Sequence, residues 1–97
     1  RWRTFRRDLR AAYERSLRPL PTPGAVQLAE VVRKVSERVA ETGIITSGAG
    51  NYSQFVHRYT RYAMYPSSLA PSSGSMGYGL PAAIAAKLEY PDRTVVA

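Results

Sequence analysis

Three glycines, Gly74, Gly77 and Gly79, lead straight into a helix-forming segment and then a β-branched one. Leu80, Ile84 and Leu88 recur every fourth residue, which places them on one helix face. Ala82, Ala83, Ala85 and Ala86 cover the remainder with side chains small enough for close packing on a sheet or a partner helix. Pro81 suits a first helical turn, where its missing N–H breaks no ladder bond. Pro91 ends the segment by driving Tyr90 away from helical backbone angles. Thr94, Val95, Val96 and Ala97 then read as a short buried parallel strand. Residues 72–97 are therefore predicted to run glycine loop, helix, turn, strand. Such a loop lets a ligand approach backbone that a Cβ would shield.

The bulk properties set bounds on this reading. With 97 residues and 44% apolar content, the chain holds at most one small ordered domain. It starts at Arg1 and stops inside a predicted strand, so a fragment of a larger protein is expected. The sequence holds no cysteine, which removes disulfides and cysteine metal sites and fits the cytoplasm. No apolar run approaches the roughly 20 residues of a membrane span. A net charge of +7 would by itself raise nucleic acid as a partner.

Much of that charge lies at the start. Arg1, Arg3, Arg6, Arg7, Arg10, Arg15 and Arg18 face only Asp8 and Glu14. Trp2, Phe5, Leu9, Tyr13 and Leu17 form one apolar helical stripe among them. A helix binding nucleic acid or an anionic membrane is one reading. The favoured one is a helix laid on protein by its aromatic stripe. Residues 1–20 are assigned to this helix and a proline-rich connector, since Pro19, Pro21 and Pro23 cannot continue a helix.

Thr22 is expected to cap a second helix that has Pro23 in its first turn. Its apolar stripe would run through Val26, Leu28, Val31, Val32, Val35 and Val39, with Gly43 as a left-handed stop. Ile44, Ile45 and Thr46 read as a buried strand, followed by a second glycine loop at Gly48 and Gly50. A helix is expected from Tyr52 to about Arg61, with Phe55, Val56 and Tyr59 inward. Strand, glycine turn and helix together offer free N–H groups to an anion. A dinucleotide fingerprint is rejected because Ser53 replaces its third glycine. His57, the one histidine, reads as a surface residue rather than a base. Arg58, Arg61, Tyr59, Tyr62 and Tyr65 could stack on bases but fit an interface better. Residues 65–69 form a weak strand before the first-described loop.

The wording of residues 74–97, Gly-Ser-Met-Gly-Tyr-Gly-Leu-Pro-Ala-Ala-Ile-Ala-Ala and then Tyr-Pro-Asp-Arg with an apolar strand, resembles the thiamine-diphosphate enzymes of the acetolactate synthase and benzoylformate decarboxylase group. The resemblance spans roughly residues 21–97 and lies in their cofactor-binding (pyrophosphate) domain. It implies the first half of an open, mostly parallel, three-layer α/β sheet. Thiamine diphosphate and Mg²⁺ are the implied cofactors.

The resemblance also implies roles. Gly50, Asn51 and Tyr52 would hold the diphosphate. Gly74, Ser75 and Met76 would meet the aminopyrimidine, with Met76 propping the cofactor in its bent form. Acetolactate synthases usually carry Gln-His where this chain has Asn51 and Tyr52, a departure that bears on the reaction rather than the cofactor. The metal motif, Gly-Asp-Gly, would come just after Ala97, and the activating glutamate from the pyrimidine domain of a neighbouring subunit. A 2-oxo acid substrate and a homodimer or homotetramer are further implications. The fragment itself would carry no catalytic residue and be inert. Two rival readings are a basic nucleic-acid- or membrane-binding module and a non-catalytic relic of the fold.

Overall fold

The computed structural model describes residues 2–97, so Arg1 lies outside the described residues. In chain order the elements are α1 (Trp2–Ser16), α2 (Leu28–Val39), β1 (Ile44–Thr46), α3 (Ser53–Tyr59), β2 (Ser68–Leu69), α4 (Gly79–Glu89) and β3 (Val95–Val96). The strands form one parallel sheet in the order β2-β1-β3. Ile45 stands opposite Ser68 on one side and Val96 on the other. The α/β class and the helix–strand alternation match the sequence-based expectation.

Burial explains why β1 is central. All three of its residues are buried, Ile44 to 1% exposure. Each isoleucine removed from water contributes about 1.5–3 kcal/mol. Strand alternation sends the two side chains to opposite faces. Thr46, on Ile44's face, bonds α4; Ile45 faces the valines of α2. The sheet is thus covered by α4 on one side and by α2 with α3 on the other.

Two expectations about α2 are corrected. The helix begins at Leu28, with Gln27 as its cap residue, not at Pro23 with Thr22. Gly24 takes φ +117°, which no helix can propagate through. Thr22 instead joins Gln27: its N–H and hydroxyl both donate to Oε1, at 2.9 and 2.8 Å. Nε2 of Gln27 returns bonds to the carbonyls of Thr22 and Gly24. Val26 consequently lies outside the helix and is exposed. The buried line of α2 passes through Ala29, Ser36 and Val39. Ser36 is no defect there, because its hydroxyl accepts the Arg61 N–H at 2.8 Å.

Gly43 is the second correction. Its φ is not left-handed. A Cβ there would strike the Val39 side chain and carbonyl within 3 Å, so close packing explains the glycine.

On α4 the alanine face is the buried one, as its small side chains implied. Ala83 and Ala86 are buried on the sheet, whereas Leu80, Ile84 and Leu88 are exposed. Small side chains allow a helix to approach the sheet closely, so alanines win the inner face. Pro81 sits in the first turn, and Tyr90 leaves helical angles at φ −124°, ψ 72°, as predicted.

The α1 helix buries none of its residues. Two arginines from the region of α3 hold its end: Arg58 Nε donates to the Ser16 carbonyl at 2.8 Å, and Arg61 pairs with Glu14 at 2.9 Å. Arg10 also meets Glu14, at 2.6 Å. Desolvation pushes the Glu14 carboxyl up, but the Arg10 and Arg61 guanidiniums outweigh it and hold it below its ordinary range.

Candidate functional site

The two glycine loops leave the sheet at the same end and meet at their roots. Thr46, the last residue of β1, donates its hydroxyl to the Gly79 carbonyl at 2.7 Å. A Cβ on Gly79 would lie 3.1 Å from the Gly48 nitrogen and 3.2 Å from the Ser47 carbonyl carbon. Backbone therefore packs closely on backbone, and a side chain at Gly79 would have to push the first loop back by a few tenths of an ångström. Ser47 is buried, and its N–H donates to the Leu69 carbonyl at 3.0 Å, tying in the strand that feeds the second loop.

The first loop presents donors. Among the described residues, none of the N–H groups of residues 48–52 donates to a carbonyl. The expectation that the start of α3 adds free donors is corrected: the N–H groups of Ser53, Gln54 and Phe55 bond back to Gly50, Asn51 and Tyr52. The helix runs only from Ser53 to Tyr59, shorter than predicted. Phe55 and Val56 are half-buried and Tyr59 buried, while His57 is exposed.

Tyr52 has a role the sequence did not suggest. Its ring folds back across the loop, and a Cβ on Gly48 or Gly50 would collide with it. These glycines make room for Tyr52, rather than for a ligand directly. Asn51 stands exposed beside it, with no hydrogen bond holding its amide.

The second loop is open. Gly74 and Gly77 take φ +70° and +80°, and the Cβ space of each is empty to 4 Å. Ser75 pairs only with Ser73, hydroxyl to hydroxyl at 2.8 Å. Met76 is 92% exposed, an unusual position for an apolar thioether. The α4 helix that follows has no side-chain cap, and among the described residues the N–H groups of Gly79 and Leu80 donate to no carbonyl. Of the six candidate residues, Gly50, Asn51 and Tyr52 share one loop and Gly74, Ser75 and Met76 the other. The structure joins the loops at their roots, with no bond between the tips among the described residues.

Thr46 and Gly79, which make the junction, were not singled out as site residues from sequence. The signal was a hydroxyl at the carboxyl end of a buried strand, where a third isoleucine would have been ordinary.

This chemistry suits an anion with an apolar neighbour. Unpaired N–H groups fit a diphosphate, and the open space over Gly74 and Gly77, with Met76 beside it, fits a flat ring. A hard cation would need carboxylates. Among the described residues no group of three or more His, Cys, Asp or Glu is gathered to hold a metal ion.

Comparison with known proteins agrees. The family model described as "Thiamine pyrophosphate enzyme, C-terminal TPP binding domain" matches residues 48–97. The match begins at the first glycine loop and takes in the second. The chain belongs to this family.

Curated relatives are more particular. The chain is 41% identical over 58 residues to the mitochondrial acetolactate synthase catalytic subunit of Aspergillus candidus, covering 58% of this chain and 8% of that protein. It is 32% identical over 76 residues to the acetolactate synthase large subunit of Parasynechococcus marenigrum, covering 78% and 12%. Identity to the mitochondrial catalytic subunit of Saccharomyces cerevisiae is 33% over 81 residues, covering 77% and 12%. The chain thus spans 8% to 12% of the length of these relatives. No solved structure matches. No helix among the described residues is long and apolar enough to cross a membrane.

Proposed function

We propose that this chain supplies the two cofactor loops of a thiamine-diphosphate enzyme acting on 2-oxo acids, with acetolactate-synthase-like chemistry. The observation that carries the proposal is the junction of the loops at Thr46 and Gly79. Donors of residues 48–52 would hold the diphosphate, with the Asn51 amide and Tyr52 hydroxyl as further donors. Gly74 and Ser75 would meet the pyrimidine through backbone, and Met76 would fill the space beneath the ring. Bound there, the cofactor supplies an electron sink for cleavage next to a carbonyl. The chain's own part is to bind, orient and exclude water; it places no acid or base at the loops. Mg²⁺ and the activating glutamate belong, on this proposal, to other polypeptide, the latter to a neighbouring subunit's pyrimidine domain in a homodimer or homotetramer. The chain alone is inert.

The test is a chimera in which this chain replaces the matching stretch of the Parasynechococcus large subunit. Cofactor-dependent consumption of a 2-oxo acid supports the whole proposal. Binding of thiamine diphosphate without turnover leaves the loops assigned and removes the acetolactate-like reaction. No binding removes both. In an active chimera Met76→Leu keeps most turnover, as volume-conserving swaps cost below about 1.5 kcal/mol. Met76→Ala loses on the order of 100-fold, the scale of an ångström's misplacement.

A further inference from the structure

The direction of the Tyr52 side chain is set by the start of α3. Its backbone is already helical, at φ −60° and ψ −26°, and its carbonyl accepts the N–H groups of Phe55 and Val56 at 3.0 and 3.4 Å. A long side chain in a helical turn leans back over the residues before it, here toward Gly48 four positions earlier. The contacts agree. A Cβ on Gly48 would lie 2.6 Å from the Tyr52 hydroxyl, and one on Gly50 would strike the ring carbons Cδ1 and Cε1. Outside the adjoining residues, the nearest atoms to both Cβ positions belong to Tyr52. Neither glycine has the left-handed φ that would by itself call for glycine.

We propose that the Tyr52 ring is the form on which residues 48–50 are shaped, and that it positions their N–H groups for the diphosphate, a role that rests on the cofactor reading of this loop. Gly48 and Gly50 are then glycines for the ring, not for a turn or for the approach of a ligand. Among the described residues the N–H groups of residues 48–52 donate to no carbonyl, so hydrogen bonds from these amides do not fix the loop. A packed ring fixes backbone by contact and uses no donor, which suits a loop that must present its donors preorganised to an anion. Tyr52 also lines the apolar hollow formed by Val32, Val35, Ile45 and Val56, which favours keeping the ring at this end of the sheet rather than in water.

A double-mutant cycle on the 97-residue chain tests this, read by ¹⁵N order parameters of the free chain and by titration with inorganic pyrophosphate. Gly50→Ala displaces the ring and Tyr52→Ala removes it. Each should lower the order parameters of Gly48 and Ala49 from about 0.85 to below about 0.6. Each should also weaken pyrophosphate roughly tenfold, within the range of coupled neighbours. When both changes are combined the new methyl meets a vacated place, so the pair should bind within about twofold of Tyr52→Ala alone. Tyr52→Phe keeps the ring over Gly50. It should therefore keep the loop ordered and lose only the share of binding that the hydroxyl adds, less than the alanine variant loses. Unmoved amide shifts at Tyr90 and Arg93 check that the sheet stays folded. Losses that multiply in the pair overturn the proposal, as does a loop that stays ordered in Tyr52→Ala or loosens equally in Tyr52→Phe. If pyrophosphate does not bind the unaltered chain, the cofactor reading falls, and the order parameters alone decide whether the ring shapes the loop.

Discussion

The two ends of the sheet are built on opposite plans. At the carboxyl end of β1, loops of residues 48–52 and 72–78 donate none of their N–H groups to carbonyls among the described residues, and their roots meet where Thr46, Ser47 and Gly48 approach Gly79. At the amino end the Arg93 side chain draws the strand starts together. Arg93 donates to the carbonyls of Thr42, Gly43 and Pro66, the latter two at 3.2 and 2.7 Å, and lies over the Tyr90 ring at 5.2 Å. Lys87 adds bonds of 2.8 Å to the carbonyls of Pro91 and Arg93. The closed end satisfies acceptors with cations and fixes where the strands begin. The open end withholds acceptors and so keeps donors for a ligand. On the proposed function, stability and ligand binding are separated along the strand direction, as ligands in open α/β sheets sit beyond the carboxyl ends of the strands.

Breaking the closed end should give the largest effect. Arg93→Ala strips a charged donor from three carbonyls and should cost about 3 kcal/mol in urea unfolding, since bonds to charged groups each contribute about 1.5–3. Thr46→Val keeps the shape at the open end and removes the one side-chain bond that joins the loops. Losing this part-buried bond should cost about 0.5–1.5 kcal/mol by the same measurement, and should weaken thiamine diphosphate binding, which Arg93→Ala should not do in the folded fraction. If both variants change ligand binding alike, the two ends are not separate.

Gly77→Ala tests the open loop more gently. Its Cβ meets nothing, so the cost is that of the left-handed backbone alone, about 1–2 kcal/mol. Part of the loss should return in Gly77→Asn, since asparagine tolerates that region.

The smallest effect concerns α1 and pH. Glu14 titrates below its unfolded value, so its pairing is present above the ordinary carboxylate range and fades as pH falls through the lowered pKa. Acid titration should loosen α1 from Arg61 in that low window, and Glu14→Gln should abolish the step. A step seen at higher pH would assign it to another group.

Much of this was legible in the sequence, and the reasons differ by element. Ile44, Ile45, Val95 and Val96 announce parallel strands through their runs of β-branched residues; the central pair is buried as expected, whereas Val95 and Val96, on an outer strand, are only half-buried. The candidate residues could be placed on two loops because glycine punctuation is local. The sheet-facing side of α4 was legible too, in alanines small enough for close packing. The start of α2 was not, being decided by Gly24 and the Gln27 bonds to Thr22 over a five-residue span. The stacking of Tyr52 on Gly48 and Gly50 depends on a side-chain direction that periodicity does not carry. Arg93 was read as part of a turn; its reach to Thr42 and Pro66 is long-range and leaves no mark in local pattern.

The central claim is that the unpaired donors at the open end form the cofactor edge. Amide chemical-shift mapping of the ¹⁵N-labelled chain during titration with thiamine diphosphate tests it most directly. The account predicts that shifts concentrate at Gly48, Gly50, Asn51, Gly74, Gly77 and Gly79, with Tyr90 and Arg93 unmoved. Shifts centred on the arginines of α1, or spread evenly over both ends of the sheet, would contradict it.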